Sequence, residues 1–442
     1  MASLFQSISG SVTAPQGFRA AGVYCDVKRL GTGKGSNKSV DLDLAMIASE
    51  QPCAVAGLFT TNQICAAPVK RCLQQIKKGL GQAIVVNSGN ANACTGERGE
   101  KDAETMAKTA AKSLGVDPSY VYVASTGRIG LPLPMPNVNR GIRAAAKAMS
   151  QGPVADTAAA EAIMTSDTHP KEFAVEMSTA SGPIRIGGIA KGAGMIDPYM
   201  TPDGKLPKKG ELHATMLSFL TTDASIAQPL LQQALTKAVG VSFNSVTVDG
   251  DMSTNDTVLI LANGQAANKE IKSARSALYK AFEAALIEVC MELAKMMVRD
   301  GEGVSKFVTV RVSGAKNDAD ARAAGRCVAN SMLVKTSWCG GDPNWGRILD
   351  ALGYSPALIV EEKIDVAYSA PGSDSLVFSL KKGKPTRVTF ERLCAEVARK
   401  EFDLHINLNL GKGHAVIHTC DLTEEYVDFN KGDISNPAAL GG

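Results

Sequence analysis

What most restricts this chain is where its small polar residues stand. Runs rich in Gly, Asn and Thr follow apolar, strand-length segments repeatedly: FTTNQICAAPV (59–69), VVNSGNANACTG (85–96), ASTGRIG (124–130), MTSDTHPK (164–171), AKGAGMIDP (190–198), ATMLSFLTTDA (214–224), VDGDMSTNDTV (248–258), RDGEG (299–303) and GGDPNWGRI (340–348). Small residues at strand ends permit close approach of a ligand, while Asn, Thr and backbone groups supply orienting hydrogen bonds. A purely structural chain has little reason to collect so many.

The segments between these runs alternate in type. Residues 40–49, 54–60, 82–89 and 121–126 are β-branched or alternating and bounded by Gly, Asn or Ser, which predicts strands. In 102–115, Met106, Ala110 and Leu114 recur at helical spacing before Gly115, which predicts a helix. Helical patterns also cover 137–149, 155–164 and, at greatest length, 268–300. KEFAVEMS and PIRIGGIA read as a hairpin about Ser181, Gly182 and Pro183. The last third predicts strands at 306–314, 357–368, 376–380, 404–410 and 415–419, with helices near 345–353 and 391–400. These patterns imply a layered α/β fold with a mixed sheet buried on both sides.

Composition excludes several functions. The 442 residues carry 47 basic and 44 acidic side chains without a long basic run, so nucleic acid is not an expected partner. No apolar stretch approaches the ~20 residues of a membrane span. The opening MASLFQSISGSV lacks a charged and apolar leader pattern, so a cytoplasmic location is expected. Ten cysteines show no C-x-x-C pair and do not cluster with the five histidines, so neither a disulfide framework nor a metal site is expected.

Several candidate motifs fail on spacing. GTGKGS (31–36) lacks the four-residue arc that lets backbone N–H groups wrap phosphates. Asp249 and Asp251 lack a complete calcium loop and read as carboxylates of a solvated turn. There is no G-x-S-x-G elbow. TPDGKLPKKGELH (201–213) reads as an exposed loop that ends directly before Ala214 and Thr215, and His213 as an exposed loop histidine. A loop leading into a small residue and a hydroxyl is what internal self-cleavage requires. The same pattern alone also fits a loop before a threonine helix cap.

Taken in order from about residue 14 to about 430, these runs resemble the glutamate N-acetyltransferase (ornithine acetyltransferase) family, most specifically through AKGAGMI, ATML, TTDA and GGDPNWGRI. The resemblance implies an αββα-type layered sandwich with mixed sheets plus a second α/β lobe. It implies cleavage between Ala214 and Thr215, giving an α chain (1–214) and a β chain (215–442) that assemble as an α2β2 heterotetramer. Thr215 then carries acetyl from N2-acetyl-L-ornithine to L-glutamate in a ping-pong cycle of arginine biosynthesis. Thr126 and Gly127 match the oxyanion pair. Thr168, Lys191, Thr215, Glu302, Asn430 and Ser435 match substrate-binding positions. No cofactor is implied, and some members also take acetyl-CoA as donor.

Three departures touch the edge of the site. Lys191 and Thr215 stand 24 positions apart, longer than the family's usual spacing, because 201–213 looks inserted. Ser435 replaces a usual threonine, and IHT before Cys420 lacks a frequent aromatic. The rival readings are a threonine-nucleophile aminopeptidase or amidohydrolase of related fold and an uncleaved, inactive binding paralogue. Lys191 and Glu302 argue against the first. The intact Ala214, Thr215, Thr126 and Gly127 argue against the second.

Overall fold

The computed structural model describes residues 5–28, 41–205 and 216–431. GTGKGS, most of the 201–213 loop, Ala214, Thr215 and Ser435 lie outside the described residues. The chain divides into two compact units, one of Met1–Asn244, Asp251–Met297 and Gly432–Gly442, the other of Ser245–Gly250 and Val298–Lys431. The expected boundary at Ala214 and Thr215 therefore falls inside the first unit.

The strands of the first unit are β1 (Gln6–Ile8), β2 (Phe18–Val23), β3 (Leu44–Thr60), β4 (Leu80–Asn90), β5 (Val121–Arg128), β6 (Lys171–Thr179), β7 (Gly182–Lys191), β8 (Met200–Thr201), β9 (Leu217–Thr222) and β10 (Thr257–Ala262). They pair in the order β1-β6-β7-β9-β10-β3-β4-β5, with β2 and β8 also on β3. The β6/β7 hairpin is the one predicted around Ser181 to Pro183.

Strand β3 corrects the sequence reading. The two strands predicted at 40–49 and 54–60 are one strand of 17 residues. The exposed Glu50, Gln51 and Pro52 look like a break but form a bulge, where the ladder jumps from Ala48 opposite Ala83 to Cys53 opposite Gly81. Proline is tolerated there because a bulge leaves its position without a ladder donor to supply. Beyond the bulge β3 pairs with β10, so its two halves belong to two leaves.

Period-2 alternation assigns the faces. Leu44, Met46, Val85 and Val123 point outward against Ala67 of helix α1 (Ala67–Gln75), Ala103, Met106 and Ala110 of α2 (Gly96–Leu114) and Val138 and Ile142 of α3 (Met135–Ala148). Ala45, Ile47, Ile84, Val86 and Tyr122 point inward, in one core with Phe59, Ile189, Leu217, Phe219, Leu259 and Leu261 of the other leaf. Helix α4 (Pro153–Ile163) contributes Ala159, Ala160 and Ile163 to that core. On the far face, Gln232 of α5 (Gln228–Val241) bonds both the N–H and the carbonyl of Gly57 at 3.1 Å. Leu293 of α6 (Ala277–Arg299) packs over Gly188. The layers are helix, leaf, leaf, helix, as the αββα expectation requires.

Helix α6 starts nine residues later than the predicted 268, because the Asn268 side chain is committed to both backbone groups of Ser225, at 2.9 and 3.1 Å. Among the described residues no helix is long and apolar enough to cross a membrane.

The second unit is a smaller α/β body, again as expected. Strands β11 (Phe307–Ala315), β12 (Asp365–Ser369), β13 (Val377–Lys381), β14 (Lys384–Pro385), β15 (Glu401–Asn407) and β16 (Gly413–Cys420) pair in the order β14-β13-β12-β15-β11-β16. The strand predicted at 357–368 shrinks to its last part, since Ala357 and Ile359 pack against the core without joining a ladder. Side-chain caps start the helices Asp318–Asn330, Met332–Cys339, Trp345–Gly353 and Phe390–Val397, from Asn317, Ser331, Asn344 and Thr389 respectively. The GGDPNWGRI run is thereby engaged in capping, with Asn344 Nδ2 donating to Asp342 at 2.8 Å.

Candidate functional site

Near its C-terminal end strand β5 carries Thr126 and Gly127, the two residues the resemblance matches to an oxyanion pair. Thr126 is buried, and Gly127 faces Gly89 across the parallel β4/β5 ladder. Gly127 has φ +126°, and a Cβ there would stand 2.3 Å from the Gly89 carbonyl carbon. Only glycine lets the two strand ends approach this closely.

The polar strand ends of this unit interlock. Asn255 Nδ2 donates to the carbonyls of Ala91 and Ser125, at 2.7 and 2.8 Å. The N–H groups of Thr60 and Ala66 donate to the carbonyls of Asp256 and Thr254, each at 2.9 Å. Runs 59–69, 85–96, 124–130 and 248–258 are thus held together by backbone acceptors, with Thr60, Asn90, Asn92, Thr126 and Asn255 all buried.

Lys191, at the end of β7, is buried 3.9 Å from Asp167 Oδ2. Asp167 Oδ1 accepts from Lys171 Nζ and from the N–H of Gly192, both at 2.6 Å. Burial opposes ionisation of Asp167, but the charges of Lys191 and Lys171 and these hydrogen bonds outweigh it, holding the carboxyl well below the usual range. The next residue, Thr168, is exposed and its hydroxyl lies 3.0 Å from His169 Nδ1. It borders a cavity of about 380 Å³ lined by both signs of charge, Lys28 against Asp41 and Glu161.

Strand β9 begins two residues after Thr215. The N–H of Met216 donates to Asp256 Oδ1, and its carbonyl accepts from Thr257 N–H at 3.1 Å. Leu217 stands opposite Lys191 in the β7/β9 ladder. Asp256 is fully buried, Oδ2 has no hydrogen-bond partner among the described residues, and burial pushes its pKa well above the ordinary carboxylate value despite the nearby Lys191.

In the second unit, Asn430 Nδ2 donates to Glu302 Oε2 at 2.9 Å across 128 positions of sequence. The backbone explains the meeting. Gly303 has φ +67°, and a Cβ there would lie 2.5 Å from the Tyr426 nitrogen, so the helix Glu424–Phe429 sits directly on this turn. Thr423 Oγ closes it by donating to the Gly303 carbonyl at 2.6 Å.

The structure thus brings Lys191 to the head of β9 and pairs Glu302 with Asn430. Sequence reasoning missed Asp167, Lys171 and Asp256 as members of the charged cluster. Each lies within or beside a polar run, but nothing local announces a buried carboxylate. Among the described residues no group of three or more His, Cys, Asp or Glu side chains could hold a metal ion.

The ArgJ family model matches residues 19–432. The arginine biosynthesis bifunctional protein ArgJ of Symbiobacterium thermophilum is 47% identical over 424 residues, covering 96% of this chain and 98% of the relative. The protein of the same name from Staphylococcus epidermidis is 40% identical with the same coverage. A crystal structure of Mycobacterium tuberculosis ornithine acetyltransferase complexed with ornithine matches at 39% identity and TM-score 0.41, over 45% of this chain and 100% of that one. Matched along nearly its whole length, the chain belongs to the ArgJ family.

Proposed function

We propose that Thr215 is the nucleophile of this enzyme and that the precursor cleaves itself between Ala214 and Thr215, leaving chains 1–214 and 215–442. The enzyme transfers acetyl from N2-acetyl-L-ornithine to L-glutamate, the acyltransferase step of arginine biosynthesis. The observation that supports the nucleophile most is the register of β9: Leu217 is opposite the buried Lys191, and Met216 is anchored by Asp256. Residue 215 thus precedes by two positions in sequence the strand residue that pairs with a buried cation.

The chemistry follows from the groups at hand. Cleavage frees the α-amine of Thr215, whose reference pKa of ~7.7–8.0 lies well below the ~10.4 of lysine, so near neutrality it accepts the hydroxyl proton. Oγ attacks the acetyl carbonyl, Thr126 Oγ–H and Gly127 N–H receive the oxyanion, and ornithine leaves with the proton. Glutamate enters, its amine attacks acetyl-Thr215, and the cycle closes. Lys191 suits the α-carboxylate and Glu302 the ammonium group that both amino acids share. Thr168, Asn430 and Ser435 complete the substrate contacts.

The relatives are named bifunctional. Acetyl-CoA as a second acetyl donor is the corresponding proposal here, along with an α2β2 assembly in the cytoplasm and no bound cofactor. Two bands on a denaturing gel, with a single full-length band for Thr215→Ala, test the cleavage. Mass spectrometry of the 215–442 chain tests the substrate: acetyl-ornithine should leave an acetyl adduct that glutamate removes faster than water. Two fragments from the alanine variant would overturn the nucleophile. No adduct from acetyl-ornithine would overturn the donor.

A further inference from the structure

The sequence marks Asp249 as a carboxylate of a solvated turn. In the second unit it is instead half-buried, and it accepts from the Tyr426 hydroxyl at 3.2 Å, across 177 positions of sequence. Its turn is held in place. Val246 bridges to His418 of β16, Thr247 N–H donates to the His418 carbonyl at 2.9 Å, and Thr247 Oγ donates to Asn330 Oδ1 at 2.7 Å. Tyr426 belongs to the helix Glu424–Phe429, which has six residues and buries none of them. A helix this short is marginal by itself. Its tethers are polar: Thr423 Oγ on the Gly303 carbonyl and Tyr426 on Asp249. Tyr426 also bonds through its carbonyl, which accepts from the Asn430 N–H at 3.2 Å and from Asn430 Nδ2 at 2.9 Å. The same Nδ2 donates to Glu302 Oε2 at 2.9 Å. An unbroken hydrogen-bonded series thus runs from Asp249 through Tyr426 and Asn430 to Glu302.

We propose that Asp249 and Tyr426 are positioning residues for Glu302, holding its carboxylate ready for the substrate's ammonium group. The inference rests on the reading of Glu302 given above. Asn430 engages one oxygen of Glu302 and leaves Oε1 to the ligand. Asn430 itself is exposed at the end of a helix, where the backbone frays, so its place depends on the turn before it. Tyr426 stands one turn back and is the member of that turn tied to a fixed part of the fold. Without the bond to Asp249, the helix end and the Glu302 side chain gain freedom that binding must remove again. That cost falls on the bound ground state and the transition state alike, so it enters KM rather than kcat.

Initial rates of acetyl transfer at varied glutamate, with acetyl-ornithine saturating, test this in the purified enzyme. Tyr426→Phe removes only the hydroxyl. It should raise KM for glutamate about two- to tenfold, the contribution of one hydrogen bond, with kcat within about twofold of wild type. Asp249→Ala should match it, and the double variant should be no worse than either single one, because both remove the same bond. Glu302→Gln should raise KM further, and adding Tyr426→Phe to it should change KM little. A wild-type KM in Tyr426→Phe, beside a raised KM in Glu302→Gln, overturns the inference. So does a loss confined to kcat with a lowered melting point, which would make the pair a scaffold only, and so do additive effects of Tyr426→Phe and Asp249→Ala. If Glu302→Gln leaves KM for glutamate unchanged, the underlying reading of Glu302 fails, whatever Tyr426 does.

Discussion

Lys171 Nζ lies 2.6 Å from Asp167 Oδ1, and neither side chain is exposed at all. With Lys191 at 3.9 Å from the other oxygen, one buried carboxylate serves two buried cations. Lys191 is thus not an isolated lysine but one arm of a charged triad that also fixes the backbone of Gly192. Removing the shared anion takes an ion-pair partner from both buried cations. Asp167→Asn should therefore cost about 3–5 kcal/mol, read as a lowered denaturation midpoint. Adding Lys171→Met should return part of that loss, which a double-mutant cycle measures.

The same carboxyl predicts a pH dependence. Its folded pKa is depressed, so the protein binds fewer protons at Asp167 than the unfolded chain does. The stabilisation is present above the unfolded value of about 3.9 and is lost as pH falls toward the depressed folded value. The stability gap between wild type and Asp167→Asn should be constant between pH 5 and 7 within about 0.5 kcal/mol, the usual additivity error, and should shrink on further acidification. Urea midpoints across that range check it. A gap that widens in acid would contradict the assignment.

At the proposed oxyanion pair, Thr126→Val removes the hydroxyl while keeping the shape. Turnover should fall ~10²–10³-fold with KM little changed. Thr126→Ser should retain activity. Gly127→Ala meets backbone rather than a movable side chain, because the Gly89 carbonyl carbon would be 2.3 Å away. It should distort the β4/β5 end and lower both stability and turnover.

On the proposed carboxylate contact, Lys191→Met should cost ~1.5–3 kcal/mol, or roughly ten- to a hundredfold in kcat/KM for both half-reactions. Initial rates with acetyl-ornithine and with glutamate measure the two separately. A loss confined to one substrate would show that the lysine does not bind a group common to both.

Much of the fold could be read from the residues because strand ends carry local signals. The β6/β7 hairpin, helix α2 and the αββα layering follow from alternation, helical spacing and the family resemblance. The unbroken β3 could not be, since Glu50, Gln51 and Pro52 look the same whether they end a strand or bulge from one. Thr126, Gly127 and Lys191 were accessible through the resemblance and lie where strands end. Asp256 was not, although it lies in the VDGDMSTND turn. There Asp249 and Asp251 advertise solvated carboxylates, and only the fold shows the third aspartate buried against an amide 40 positions away.

Strands β9 and β10 lie side by side in the sheet between β7 and β3. Everything before residue 214 that pairs with them lies on their two outer edges, in ladders of six registered positions each. A cut before Thr215 would sever the backbone without opening either seam. The two chains would be interwoven like a repaired weave, and parting them would expose the twelve residues of β9 and β10, all of them buried. Cleavage would thereby become a one-way step: the products stay in one body on a native column, yet once unfolded they would have to find each other again before the sheet could re-form.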